Sequence, residues 1–162
     1  MSTITGDQAA FDGEHASAGI RAVDVGMFIV RLALGIIFIA HGGQKVFGWF
    51  GGPGLAATVT GFTGMGIPAF FAYLASFTEF FGGVAVLIGL LSRLGALGLA
   101  VVMIVAVAKV HFKNGFFLGG PTPGYEYNIA LVAMALAIAI GGPGRIALSD
   151  WEARFLRARR AD

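Results

Sequence analysis

The chain has 162 residues, 57% of them apolar and only 12% charged, where ordinary soluble domains carry about 25% charged residues. Mean hydropathy is +0.82 and the net charge is +2, with a pI near 9.3. These figures exclude a disordered chain, a nucleic-acid-binding domain and an ordinary soluble enzyme, and they point to an integral membrane protein. Cysteine is absent, which excludes disulfides, thiolate nucleophiles and thiolate-held iron–sulfur clusters.

Residues 1–23 are small and polar without periodicity and read as a mobile tail. Asp7, Asp12, Glu14 and Asp24 precede the first apolar run, so a cleaved signal peptide is not expected. A hydrocarbon core about 30 Å thick takes roughly 20 helical residues to cross. The apolar runs then predict four spans over 24–47, 67–91, 92–112 and 125–142. Spans two and three meet at Ser92 and Arg93 and form a hairpin. Between spans one and two, Pro53 can open a short helix. Leu55, Val59 and Phe62 recur along it at helical spacing, and it lies at the interface or folds back into the bundle. The stretch 114–124, with Gly119-Gly120-Pro121-Thr122-Pro123-Gly124, is turn chemistry without a regular element. After residue 142, Ser149 and Glu152 match a capping box. Leu148, Trp151 and Phe155 share a face among Arg154, Arg157, Arg159 and Arg160, as in a basic amphipathic helix on a membrane surface. The expected architecture is an all-α, four-helix integral membrane bundle over 24–142, with a short interfacial helix and a basic tail over 143–162.

Four spans put both termini on one side. That side carries Arg21, Arg93, Arg145 and the four tail arginines, against Lys45, Lys109 and Lys113 opposite. The positive-inside rule therefore places both termini in the cytoplasm.

Ionisable residues inside spans cost a few kcal/mol or more unless paired or hydrated. Arg31, His41 and Lys45 lie on one face of span one with Gln44 at its edge. In span two, Glu79 shares a small-residue face with Ala72, Ala75, Gly82 and Gly83, so it points at a neighbouring helix. At about 1.5 Å per residue, Arg31 lies roughly 10 Å and Glu79 roughly 18 Å from the cytoplasmic side. An Arg31–Glu79 pair is the expected solution. Lys109 and His111 end span three, and Glu126 starts span four on a face with Ala130, Ala133, Ala137 and Gly141, expected to aim inward. The reading is a polar cluster near the outer face with Glu79 beneath it. His41 and His111 can also clamp a haem between two helices, but such a pair arises easily by chance and haem is not expected.

The runs Arg31-Leu32-Ala33-Leu34-Gly35, His41-Gly42-Gly43-Gln44-Lys45 and Gly64-Met65-Gly66-Ile67-Pro68 resemble the DoxX family of small four-helix membrane proteins. So do Glu79-Phe80-Phe81-Gly82-Gly83, Gly89-Leu90-Leu91-Ser92-Arg93, and His111, Gly115, Glu126, Tyr127 and Asn128. The resemblance implies a membrane subunit of a thiosulfate:quinone oxidoreductase, or of a membrane redox complex that handles oxidative stress. Its recurrent polar positions fall on Arg31, His41, Gln44, Lys45, Glu79, Arg93 and Glu126.

The leading expectation is a quinone-linked oxidoreductase subunit in the inner (plasma) membrane. His41 or Lys45 would donate to the quinone carbonyls, and Glu79 or Glu126 would relay protons. Arg31, Gln44, Lys109 and His111 would complete the binding set, with no metal. Lys45, Lys109 and Lys113 would attract an anionic electron donor. Lipid, a soluble redox partner and a second copy of the chain are the expected partners. The alternatives are a non-catalytic scaffold that docks a soluble redox enzyme through the basic tail, and a small transporter. Four short spans without an internal repeat weigh against the transporter.

Overall fold

The computed structural model describes residues 19–119 and 121–149. Helix α1 spans Ala22–Phe47, α2 Gly54–Gly64, α3 Ala69–Ile88, α4 Ser92–Ala106 and α5 Glu126–Gly141. Helix α4 continues through a π turn, Val107–His111, and a 3-10 turn, Phe112–Asn114. Among the described residues there is no strand. Helices α1, α3 and the extended α4 are each long and apolar enough to cross a membrane. The 16 residues of α5 reach roughly 24 Å at about 1.5 Å each, a little short of a full crossing.

Local chemistry sets the boundaries. At the start of α1 the Asp24 carboxylate accepts from the Arg21 backbone N–H at 2.9 Å, and at its end Gly48 turns left-handed with φ 74°, a conformation glycine adopts without a Cβ clash. Pro68 leads into α3, and Gly89 closes it with φ 78°. The connection to α4 then passes through Leu91 at φ 51°, an uncommon place for a bulky side chain. Between α4 and α5 the chain folds on itself: Tyr125 N–H donates to Gly115 O at 3.2 Å and Glu126 N–H to Phe116 O at 2.9 Å.

Helix α1 packs on α3, α3 on α4 and α4 on α5, and a lighter α1–α5 contact closes the bundle. Helix α2 folds back against α1 and α3, with Thr58 buried and its hydroxyl donating to Lys45 O at 3.4 Å. The core joins Leu34 and Phe38 of α1 to Val86 of α3, Leu99 of α4 and Leu131 and Ile138 of α5. Small residues let α1 and α3 nearly touch: a Cβ on Gly83 would meet Ile39 N at 2.9 Å, and one on Gly35 would meet Leu87 Cβ at 2.7 Å. The outer surface carries Ile36, Phe70, Phe81, Leu94, Ile104 and Ile140, all exposed. Large contiguous apolar surface of this kind needs lipid rather than water around it.

One expected face is corrected. Ala130, Ala133, Ala137 and Gly141 are exposed, and the inward face of α5 is Asn128, Leu131, Ala135 and Ile138. Helix α5 is apolar nearly all round, so its composition alone gives it no direction. The basic helix expected beyond Ser149, and residues 1–18 of the expected tail, lie outside the described residues.

Candidate functional site

The register of α1 against α3 decides which charges meet. Gly42 lies against Phe80, Ile39 against Gly83 and Gly35 against Leu87, a constant antiparallel offset. It sets Glu79 level with Gly43, between His41 and Lys45. Lys45 reaches across, and its Nζ donates to both carboxylate oxygens of Glu79. The Glu79 side chain is 2% exposed and that of Lys45 25%.

The same register sets Arg31 level with the turn at Leu91, roughly 18 Å from Glu79 at about 1.5 Å per residue. The expected Arg31–Glu79 pair is therefore absent. The N-terminal turns of α1 overhang the end of α3, whereas the sequence expectation started both spans at one depth. Arg31 is buried and binds backbone carbonyls instead: Nε to Val86 O (2.8 Å), Nη2 to Leu87 O (2.7 Å), and Nη1 to Pro143 O (3.0 Å) and Ile146 O (2.6 Å). Val86 and Leu87 offer carbonyls that the end of α3 leaves unpaired, and a cation suits that end of the helix dipole. Arg93 does the same for α5, donating to Ala139 O (3.1 Å) and Ile140 O (2.9 Å). Asp24, which no site expectation included, accepts from the Arg145 backbone N–H at 3.1 Å. Together Arg31 and Asp24 tie residues 143–146 to the bundle.

At the other end of the bundle lies a cavity of about 360 Å³, within the lower part of the range for small-molecule sites. His41, Lys45, Glu79, Lys109 and His111 all line it. Lys109, Val110 and His111 come from the π turn of α4, a helical irregularity frequent at functional sites. The remaining walls are mostly apolar, drawn from all five helices and the loop before α5.

His111 Nδ1 lies 3.1 Å from Pro123 O. A carbonyl can only accept, so Nδ1 carries the proton and Nε2 of the neutral ring is an acceptor. Asn128 lines the cavity and is 7% exposed. Among the described residues its amide finds only the sulfur of Met103, at 3.4 Å, a weak acceptor. A buried amide with so weak a partner has hydrogen-bonding capacity to spare. Asn128 was legible as a polar residue within a span, but its direction was not.

Gln44 and Glu126 do not line the cavity. The Gln44 carbonyl caps α1 by accepting from Gly48 N–H at 3.2 Å. The Glu126 carboxylate accepts from Leu118 N–H at 2.8 Å and holds the preceding loop. Glu126 is held at the start of α5, where a free backbone N–H of the loop competes for its carboxylate. Among the described residues no three His, Cys, Asp or Glu side chains gather to hold a metal ion.

Fold and site together define a small helical membrane protein with an apolar cavity that is ionised at one end. The chain belongs to the DoxX family, whose model matches residues 26–112. It is 30% identical over 131 residues to the Bacillus subtilis protein named "Putative oxidoreductase CatD", covering 81% of this chain and 90% of the relative. It is 32% identical over 121 residues to the Escherichia coli inner membrane protein YqjF, covering 75% of this chain and 87% of the relative. The Mycobacterium tuberculosis membrane protein Rv3486 is 32% identical over 130 residues, 74% of this chain and 76% of the relative. No solved structure matches the chain.

Proposed function

We propose that the cavity binds the head group of a membrane quinone and that the protein is a subunit of a quinone-linked redox system. The observation that carries this is the polarity of the site. An apolar chamber in the far half of the bundle ends in the Lys45–Glu79 ion pair, His111 and the under-satisfied amide of Asn128. A quinone ring needs apolar walls for its faces, donors at its two carbonyls, and a proton source when it is reduced. Reduction to the quinol takes up two electrons from the donor and two protons from water, one at each oxygen. The Lys45 ammonium and the Asn128 Nδ2 donate to carbonyl oxygen. Glu79 holds Lys45 in place, and His111 Nε2 accepts from the hydroxyl form.

The electrons come from a small donor or a soluble partner protein, since the chain has no cysteine to hold a thiolate-ligated centre. The name of the Bacillus subtilis relative, an oxidoreductase, fits this reading. Both termini face the cytoplasm in this proposal, on the strength of the arginine excess at that end. The test is a bound-ligand analysis of protein purified in mild detergent, with the organic extract read by mass spectrometry. About one quinone per chain is expected in the wild type, falling sharply in Asn128→Leu. A quinone-free protein whose melting temperature is also unmoved by an added tailless quinone would overturn the proposal.

A further inference from the structure

We propose that the cavity opens sideways between α3 and α4 into the hydrocarbon layer, so that its ligand is an amphiphile arriving from the bilayer rather than a solute arriving from water. The inference rests on the quinone reading only for the nature of the head group; the opening itself rests on the two helices. Near their connecting turn α3 and α4 are in close contact. A Cβ on Gly82 would lie 3.2 Å from Leu99 Cδ2, one on Gly95 would lie 3.1 Å from Ala85 Cβ, and one on Gly98 would lie 2.9 Å from Thr78 Cγ2. Beyond Thr78 and Gly98 the lining residues change in kind. Phe71 and Leu74 on α3 and Val101 and Val105 on α4 all line the cavity. The same side chains are 54%, 50%, 53% and 45% exposed. A side chain that both walls a cavity and shows half its surface marks a mouth, and these four lie on two facing helices that are each long and apolar enough to cross a membrane.

The rim favours the same occupant. Phe62, Met65, Ile67 and Leu118 also line the cavity. Met65 and Leu118 are themselves 47% and 46% exposed, so this side is not sealed, but its apolar surface imposes a desolvation cost on a small hydrated anion. At the gap itself Phe71, Leu74, Val101 and Val105 are aliphatic or aromatic. Glu79 and Lys45 are the less exposed lining groups, at 2% and 25%, and Lys109 on the π turn is exposed at the far end of α4. That polarity gradient matches one ligand chemistry: a polar ring seated at the ion pair, with an apolar chain leaving through the gap. A chamber of about 360 Å³ takes a ring and the beginning of a chain, so a long chain needs this exit.

The test uses full-length protein in lipid nanodiscs containing a fatty acid that carries a diazirine midway along its chain. Met103 is 8% exposed and lines the cavity, whereas its neighbour Ile104 is 54% exposed on the bundle surface. Illumination is expected to label both residues in the wild type and to leave only Ile104 labelled in Leu74→Trp and in Val101→Trp. Those substitutions lie at half-exposed positions and narrow the gap from opposite walls; continued labelling of Ile104 and an unchanged helical circular dichroism spectrum establish that each variant is folded. Label on Ile104 without label on Met103 in the wild type overturns the opening. Equal label on Met103 in the wild type and both tryptophan variants overturns its position between α3 and α4. Label on Met103 in a protein that carries and binds no quinone leaves the opening standing and removes the head-group reading instead.

Discussion

The pairing of charges makes the sharpest prediction, because the register of α1 on α3 gives Glu79 one partner and denies it another. Lys45→Met strands a carboxylate that is 2% exposed and accepts from Lys45 through both oxygens. Removing one member of a buried pair costs about 3–5 kcal/mol. Lys45 is 25% exposed toward the cavity, which places this pair at the lower end, about 3 kcal/mol. Adding Glu79→Gln removes the stranded charge, so the double variant should be more stable than the sum of the single changes predicts by about 2 kcal/mol. Arg31→Met combined with Glu79→Gln is the contrast. These residues share no partner and lie roughly 18 Å apart along the helices, so their effects should add within about 0.5 kcal/mol. The assay is reversible unfolding in mixed micelles by titration with sodium dodecyl sulfate, followed by far-ultraviolet circular dichroism. Coupling above about 1 kcal/mol between Arg31 and Glu79, or below about 0.5 kcal/mol between Lys45 and Glu79, would refute the register.

Three other substitutions test other parts of the fold in the same assay. Arg31→Lys keeps the charge but loses the planar fork that reaches four carbonyls; it should destabilise by about 2–4 kcal/mol, and an effect under about 1 kcal/mol would mean the carbonyls are satisfied without it. Gly83→Leu drives a side chain into the backbone of α1 at Ile39; a loss of about 3 kcal/mol or of the folded protein altogether is expected, and near-neutral behaviour would contradict the close approach. Leu91→Gly relieves a left-handed residue at φ 51° that is 69% exposed, so the unfolding midpoint should rise by the equivalent of about 1 kcal/mol, whereas a fall would show that Leu91 anchors the turn in lipid.

Much of the bundle is legible in the chain. Apolar runs of membrane-spanning length and the glycine punctuation indicate where the helices lie, because hydrocarbon tolerates few other solutions for the backbone. The tight turn expected at Ser92 and Arg93 falls slightly earlier, at residues 89–91, with Ser92 and Arg93 already in α4. The face of α3 that carries Glu79, Gly82 and Gly83 is also legible, since small residues and a charge on one stripe can only face protein. His41, Lys45, Glu79, Lys109 and His111 stand out as ionisable groups in an apolar chain, and the fold brings all five to one cavity.

What the sequence could not supply is the offset between helices. Sequence spacing measures distance along one helix, whereas the pairing of Lys45 with Glu79, and of Arg31 with the carbonyls at the end of α3, depends on how far α1 slides against α3. That sliding is set by where Gly35, Gly42 and Gly83 let the two backbones approach. The direction of α5 is of the same kind. Its alanines and isoleucines suit lipid and protein equally well, so only packing against α4 turns Asn128 and Leu131 inward and leaves Ala130 and Ala133 outside. The opening between α3 and α4 belongs to the tertiary structure too. It exists because glycines hold one half of the hairpin together, while larger side chains line the other half around a space that no single helix encodes.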